Sequence, residues 1–264
     1  LKGRFIFLGT SGSMGVPVLG CSCSVCLSSS KYNKRRRSAA ILSIADRNIL
    51  IDAGPDIRQQ LLDFNLKNLS GAIVTHSHFD HIAGLDDLKA YSFAQKCKIP
   101  VLLSEATFDE LSLRHHYLMD ENQGKKQGLF FDFQLIPSSF CAVDFVGVKL
   151  DMLSFVQNHM PVSGFKVGNL AFVSDIKEYS QQLVDTISGV EILIVSALRH
   201  ASSPMHFSID EAVAFSKKVG AKKTYLTHMA HEIDYDIHLS QLPLGVQFAF
   251  DGLEIPIQYD KGLS

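Results

Sequence analysis

The apolar residues of this chain fall mostly in short blocks. Arg4-Phe5-Ile6-Phe7-Leu8 reads as a strand that runs into a glycine-rich turn, Gly9 to Gly15. Two further runs, Ser38 to Ile44 and Asn48 to Asp52, flank the turn-like Ala45-Asp46-Arg47 and predict a hairpin ending in Asp52-Ala53-Gly54-Pro55. Blocks at 72–75, 101–103, 148–155, 170–173, 192–195 and 224–227 predict further strands. Helical spacing appears at Ile57, Leu61, Leu62 and Leu66, and helices are expected at 105–116, 177–187 and 208–219, the last starting after Ser208 with Glu211 as its capping partner. No internal repeat or linker divides the chain, so one domain over 1–264 is expected. Four of the strands, at 72–75, 148–155, 170–173 and 224–227, are followed within a few residues by His or Asp, where loops carry function on a rigid scaffold.

Composition narrows the picture only a little. With 264 residues and 46% hydrophobic content the chain can bury a substantial core. A net charge of -2 supplies no general positive field, so any hold on nucleic acid would have to come from a local patch; composition argues neither for nor against an anionic substrate, and nucleic acid is not an expected partner. No apolar run is long enough for a membrane span, and the first residues lack the pattern of a secretory leader, so a cytoplasmic location is expected. Five cysteines, three of them crowded at Cys21, Cys23 and Cys26, suit a metal in a reducing compartment better than disulfides.

Two constellations carry chemistry. Thr75-His76-Ser77-His78-Phe79-Asp80-His81 compresses three imidazoles and a carboxylate into six residues after a strand. Alternating His76 and His78 can face one ion while Asp80 and His81 turn toward another. Cys21-Ser22-Cys23-Ser24-Val25-Cys26 supplies three thiolates of a tetrahedral zinc site, and His231, three residues past His228, offers the fourth ligand.

The His-x-His-x-Asp-His pattern resembles the defining motif of the metallo-β-lactamase superfamily, and the likeness extends over nearly the whole chain. It implies an α/β chain (α+β in some schemes) folded as a four-layer αββα sandwich, with two divalent ions, Mn²⁺ or Zn²⁺, at one edge of the sheets. By resemblance one ion takes His76, His78 and His159, the other takes Asp80, His81 and His228, Asp175 bridges both, and Asp52 supports them from behind. Gly9-Thr10-Ser11-Gly12, the cysteine loop, Thr227-His228-x-x-His231 and Phe250 to Ile255 are similar to the PhnP type of phosphodiesterase, which acts on phosphoribosyl 1,2-cyclic phosphate. This implies one structural Zn²⁺ on Cys21, Cys23, Cys26 and His231, and hydrolysis of a cyclic or small phosphodiester by a water that the two ions activate. Asp80 and Asp175 would orient that water, and His206, just ahead of a helix, would assist the leaving group, with His200 as its competitor. Arg35 and Arg37 are expected substrate contacts. The partner is a small phosphodiester and not a membrane, and a homodimer is left open. The alternatives are an RNA-processing enzyme of the tRNA 3′-endonuclease type, whose long tRNA-binding arm is not visible here, and a PqqB-like non-catalytic metal-binding protein.

Overall fold

The computed structural model describes residues 2–119 and 129–259; the loop expected at 122–126 lies outside them. The first strand, β1 (Lys2–Gly9), is apolar on both faces: Phe5 and Phe7 join one core cluster, Ile6 and Leu8 another. Such a strand belongs in a sheet covered on both sides. It lies in a seven-stranded sheet ordered β14 (Glu254–Gln258), β1, β2 (Ala39–Ile44), β3 (Arg47–Ile51), β4 (Gly71–Ile73), β5 (Ile99–Leu103) and β6 (Phe131–Leu135). The second sheet is ordered β13 (Val246–Phe248), β12 (Lys223–Thr227), β11 (Ile192–Ser196), β10 (Leu170–Val173), β9 (Met160–Val167), β8 (Val148–Gln157) and β7 (Cys141–Phe145). Each sheet is part antiparallel and part parallel, with β3 to β6 and β10 to β13 forming the parallel portions.

Phe5, Phe7, Leu42 and Ile49 meet Phe165, Phe172 and Ile194 between the sheets. On the outer face of the first sheet, α2 (Ile57–Phe64), α4 (Lys89–Gln95) and α5 (Glu105–Arg114) contribute Ile57, Leu61, Tyr91, Phe108 and Leu111. On the outer face of the second, α6 (Gln181–Ile187) and α7 (Ile209–Val219) contribute Leu183, Ile187, Phe215 and Val219. The layers are therefore helix, sheet, sheet, helix, as the family resemblance implies. Three one-turn helices, α1 (Ser24–Leu27), α3 (Phe79–Ile82) and α8 (Tyr235–His238), sit in connecting loops. The capping box of α7 forms as expected, Ser208 accepting from Glu211 N while Ser208 N donates to the Glu211 carboxylate. No helix among the described residues is long and apolar enough to cross a membrane.

Candidate metal centre and its cavity

The candidate ligands hang from strand ends. Asp52 follows β3, Thr75 to His81 follow β4 and run into α3, Gln157 ends β8, Asp175 follows β10 by two residues, and His228 follows β12. Asp52, Asp175 and His228 have φ of 62°, 62° and 60°, a left-handed conformation that non-glycine residues seldom adopt and that clusters at functional sites. Close approach also fixes two glycines. A Cβ on Gly54 would lie 2.0 Å from the Asp80 carbonyl oxygen, and one on Gly12 would lie 3.2 Å from the His228 ring.

Asp52 is the organiser. Its carboxylate accepts from Thr75 N (2.8 Å), from Thr75 Oγ1 (2.9 Å) and from His81 Nδ1 (2.7 Å). With Nδ1 engaged, His81 turns Nε2 toward Asp80 Oδ2 (3.4 Å) and Asp175 Oδ2 (3.5 Å). His228 Nε2 lies 3.1 Å from Asp175 Oδ1 and 3.5 Å from Asp80 Oδ2, and His76 Nε2 and His78 Nδ1 converge to 3.0 Å. Two ligands of a tetrahedral ion at ~2.0–2.1 Å stand about 3.3 Å apart, so these spacings suit shared cations. His81 Nε2 and His228 Nε2 are buried without a hydrogen-bond partner, a costly state that a cation would relieve. The donor set of imidazoles and carboxylates fits zinc or manganese.

Electrostatics point the same way. Burial pushes His76 well below its ordinary pKa. Burial also pulls His81 down, but Asp52, Asp175 and Asp80 outweigh it and drive the imidazole well above its ordinary value. His228 is raised by Asp175 and Asp80 against the same opposition. Burial would raise Asp80 and Asp175, yet His81 and His228 hold both far below the usual carboxylate range. The pocket is thus built to stabilise positive charge among ionised carboxylates.

A cavity of about 480 Å³ opens onto His78, Asp80, Asp175, His206 and His228, with Phe79, Leu198, Arg199 and Met205 also lining it. The His206 ring stacks on His228 with centroids 4.8 Å apart. Burial and the neighbouring His228 push His206 down to about 4, so its imidazole is neutral at pH 7. The structure therefore brings together His76, His78, Asp80, His81, Asp175, His206 and His228.

Four expected residues fall elsewhere. His159 is exposed and sits with Asn158 in the two-residue turn between β8 and β9, both with positive φ (43° and 70°), outside the ligand clusters among the described residues. The fully buried Gln157 lies next to the centre instead, its Nε2 3.4 Å from Asp175 Oδ1. Arg35 is buried, and its guanidinium donates to the carbonyls of Ala230 (3.1 Å) and Ile233 (2.8 Å), so it clamps the chain beyond His228 and does not face the cavity. Arg37 pairs with Asp56 (3.1 Å) and lines a neighbouring cavity. His200 is exposed and packs edge-on against His238; the cavity is lined by Arg199, which the sequence reading passed over.

The structure also brings Cys21, Cys23, Cys26 and His231 together. The sulfurs of Cys21, Cys23 and Cys26 lie 3.4, 3.5 and 3.5 Å from His231 Nδ1. Zn–S of ~2.3 Å and Zn–N of ~2.0–2.1 Å give a tetrahedral S to N edge of about 3.6 Å, so these four side chains fit one zinc ion. The hydrogen bond from Cys26 N lowers the Cys23 thiol to about 6, while burial raises Cys26.

Comparison with known proteins places this architecture. Residues 47–229 match the β-lactamase superfamily domain, and the chain belongs to that family. Its fold and donor set make it a metal-dependent hydrolase of metallo-β-lactamase type. It is PhnP-like in particular: the crystal structure of a new diphosphatase from the PhnP family superposes with a TM-score of 0.89 at 30% identity, covering 98% of each chain. Zn²⁺-bound PqqB from Methylobacterium extorquens shares the fold (TM-score 0.74, 17% identity, 96% of this chain and 99% of that one). An octanoyltransferase of Porphyromonas gingivalis is 31% identical over 98% of this chain, which spans 52% of that relative's length.

Proposed function

We propose that the chain hydrolyses a small or cyclic phosphodiester to a phosphomonoester, with phosphoribosyl 1,2-cyclic phosphate as the leading substrate and two divalent ions, Mn²⁺ or Zn²⁺, as cofactors. The observation that carries this reading is the convergence of Asp80, Asp175 and the neutral His206 on one open cavity beside the imidazole cluster. Two bound ions would lower the pKa of a water and offset charge on the phosphate oxygens. Asp52 fixes the tautomer and direction of His81, Asp80 and Asp175 hold the charge balance and orient the attacking water, and the His206 N–H donates toward the phosphate or the leaving oxygen. A proton given outright by His206 fits less well, because the ring is neutral at pH 7. Arg199 lines the cavity; its Nη1 lies 3.3 Å from Glu232 while its Nε is buried without a partner, and it is assigned to the substrate's negative charge. A cavity of about 480 Å³ suits a small molecule. A single zinc on Cys21, Cys23, Cys26 and His231 is assigned a structural role, since four protein ligands leave no open position.

A second reading, hydrolysis of a diphosphate linkage, is favoured by the description of the PhnP-family neighbour as a diphosphatase. Octanoyl transfer stays with the Porphyromonas gingivalis relative, of which this chain spans about half. The test is manganese-dependent turnover of phosphoribosyl 1,2-cyclic phosphate, an aryl phosphodiester and a nucleoside diphosphate ester side by side. Preference for the cyclic ester supports the first reading, preference for the diphosphate supports the second, and folded, metal-loaded protein that cleaves none of them refutes both.

A further inference from the structure

The imidazoles of the centre are unevenly shared. His81 and His228 group with Asp80, each offering a ligand atom within 4.8 Å of the others, which provides for one ion. His76 and His78 converge on each other at 3.0 Å, but the imidazole expected to join them, His159, faces out from a turn. The side chain that faces in from the end of the same strand is Gln157.

That amide is not satisfied by protein alone. Its Nε2 lies within hydrogen-bond distance of both ring nitrogens of His206 (3.1 and 2.9 Å) and donates to Asp175 Oδ1. Its Oε1 is buried without any partner. The two ends of an amide have nearly the same shape. Turning it over would put the carbonyl oxygen where Nε2 now stands, 3.4 Å from Asp175 Oδ1, the spacing that two ligands of one ion share. Asp175 also groups with His76 and His81, so it reaches both halves of the centre.

We propose that Gln157 is a metal ligand, its side-chain carbonyl completing with His76, His78 and the shared Asp175 the half of the centre for which a third histidine is expected. This rests on the two-ion reading of the centre and not on the choice of substrate. A neutral carbonyl oxygen is a harder and weaker donor than an imidazole, so this half holds its ion loosely and shifts in preference from zinc toward manganese or magnesium. The two halves therefore differ in affinity: the ion among Asp80, His81, His228 and Asp175 survives dialysis, and its neighbour exchanges.

Metal counting tests this without reference to turnover. Wild type and Gln157→His are loaded with excess zinc, gel-filtered and analysed for metal; any zinc on the cysteine cluster is common to both and cancels. Gln157→His is expected to retain one more equivalent than wild type, and Gln157→Glu, which keeps an oxygen donor and adds charge, is expected to retain more manganese. Thermal melting confirms that each variant is folded. In manganese-soaked crystals of wild type, anomalous scattering should place the weaker ion within bonding distance of the Gln157 carbonyl. If wild type retains both ions through gel filtration and Gln157→His adds none, or if the second ion lies away from Gln157, the amide is only a support for His206 and the proposal fails while the two-ion centre stands. If the centre takes up no metal in any variant, the two-ion reading fails with it.

Discussion

The two candidate metal clusters of this chain lie three residues apart on one segment yet are built on opposite plans. His228 faces the His and Asp centre, and His231 faces the cysteines. The first cluster is assembled from the ends of several strands, is almost wholly buried at His76, His81, Asp175 and His228, carries ionised carboxylates, and opens onto a cavity. The second is drawn from one short loop plus His231, is only half-buried at Cys21 and Cys23, and has four soft or neutral-nitrogen donors. A closed soft tetrahedron holds structure, whereas an open centre with hard donors leaves room for a substrate. The connecting segment is pinned independently: Met229 N donates to the Thr10 carbonyl (2.8 Å), Ala230 N donates to the Leu198 carbonyl (2.8 Å), and Arg35 holds the carbonyl of Ala230. Each cluster can therefore be broken with a different consequence.

The largest effect is expected from Asp175→Ala, which should take turnover below detection and strip metal from the open centre while leaving the zinc held by the cysteines, a split that metal analysis reads directly. Replacing His206 by Ala removes one hydrogen-bond donor aimed at the phosphate and should lower kcat by ~10²–10³-fold with metal content unchanged, which separates a side chain that meets substrate from one that holds an ion. With Asp52→Asn, His81 keeps a hydrogen-bond acceptor but loses the buried charge behind it, and metal affinity or activity should fall by roughly 10–100-fold. Cys23→Ser should reverse the pattern: one zinc equivalent is lost and the melting temperature drops, while turnover measured well below the melt is largely retained.

The smallest effect concerns the loop that braces the shared segment. Asp251 accepts from Thr10 Oγ1 (2.8 Å) and Arg36 N (2.7 Å), and burial raises its carboxyl from 3.8 to about 6. A carboxyl raised in the folded state contributes its stability in full below about 3.8, and that contribution is lost as pH rises through about 6. The melting temperature of wild type relative to Asp251→Asn should therefore decline between these two values and level off above them.

Much of this was legible in the sequence because the signals were dense. Three histidines and an aspartate in six residues can hardly be a bland turn, and the cysteine triplet with His231 needed only a fold to close it. The hairpin of β2 and β3 and helix α7 follow from local turn and capping chemistry. Strand β9 was missed because Pro161 and Gly164 interrupt its apolar run, although Gly164 is required there: a Cβ would lie 2.4 Å from the Phe172 carbonyl oxygen. His159 misled because a histidine after a strand looks the same whether it turns in or forms the tip of a hairpin. The clue was Asn158, since asparagine favours the positive φ of a two-residue turn, which makes Gln157 the last strand residue. Arg35 and Arg37 misled in a different way: a basic run does not reveal which of its members are taken by carbonyls or by Asp56.

The most direct test of the account is to strip the protein of metal with a chelator, confirm that it remains folded, and follow hydrolysis of phosphoribosyl 1,2-cyclic phosphate and an aryl phosphodiester as manganese is restored to wild type and to Asp175→Ala. The account predicts activity that vanishes on stripping, returns with manganese in wild type, and never returns in Asp175→Ala. Turnover that survives stripping, or that Asp175→Ala recovers in full, would contradict it.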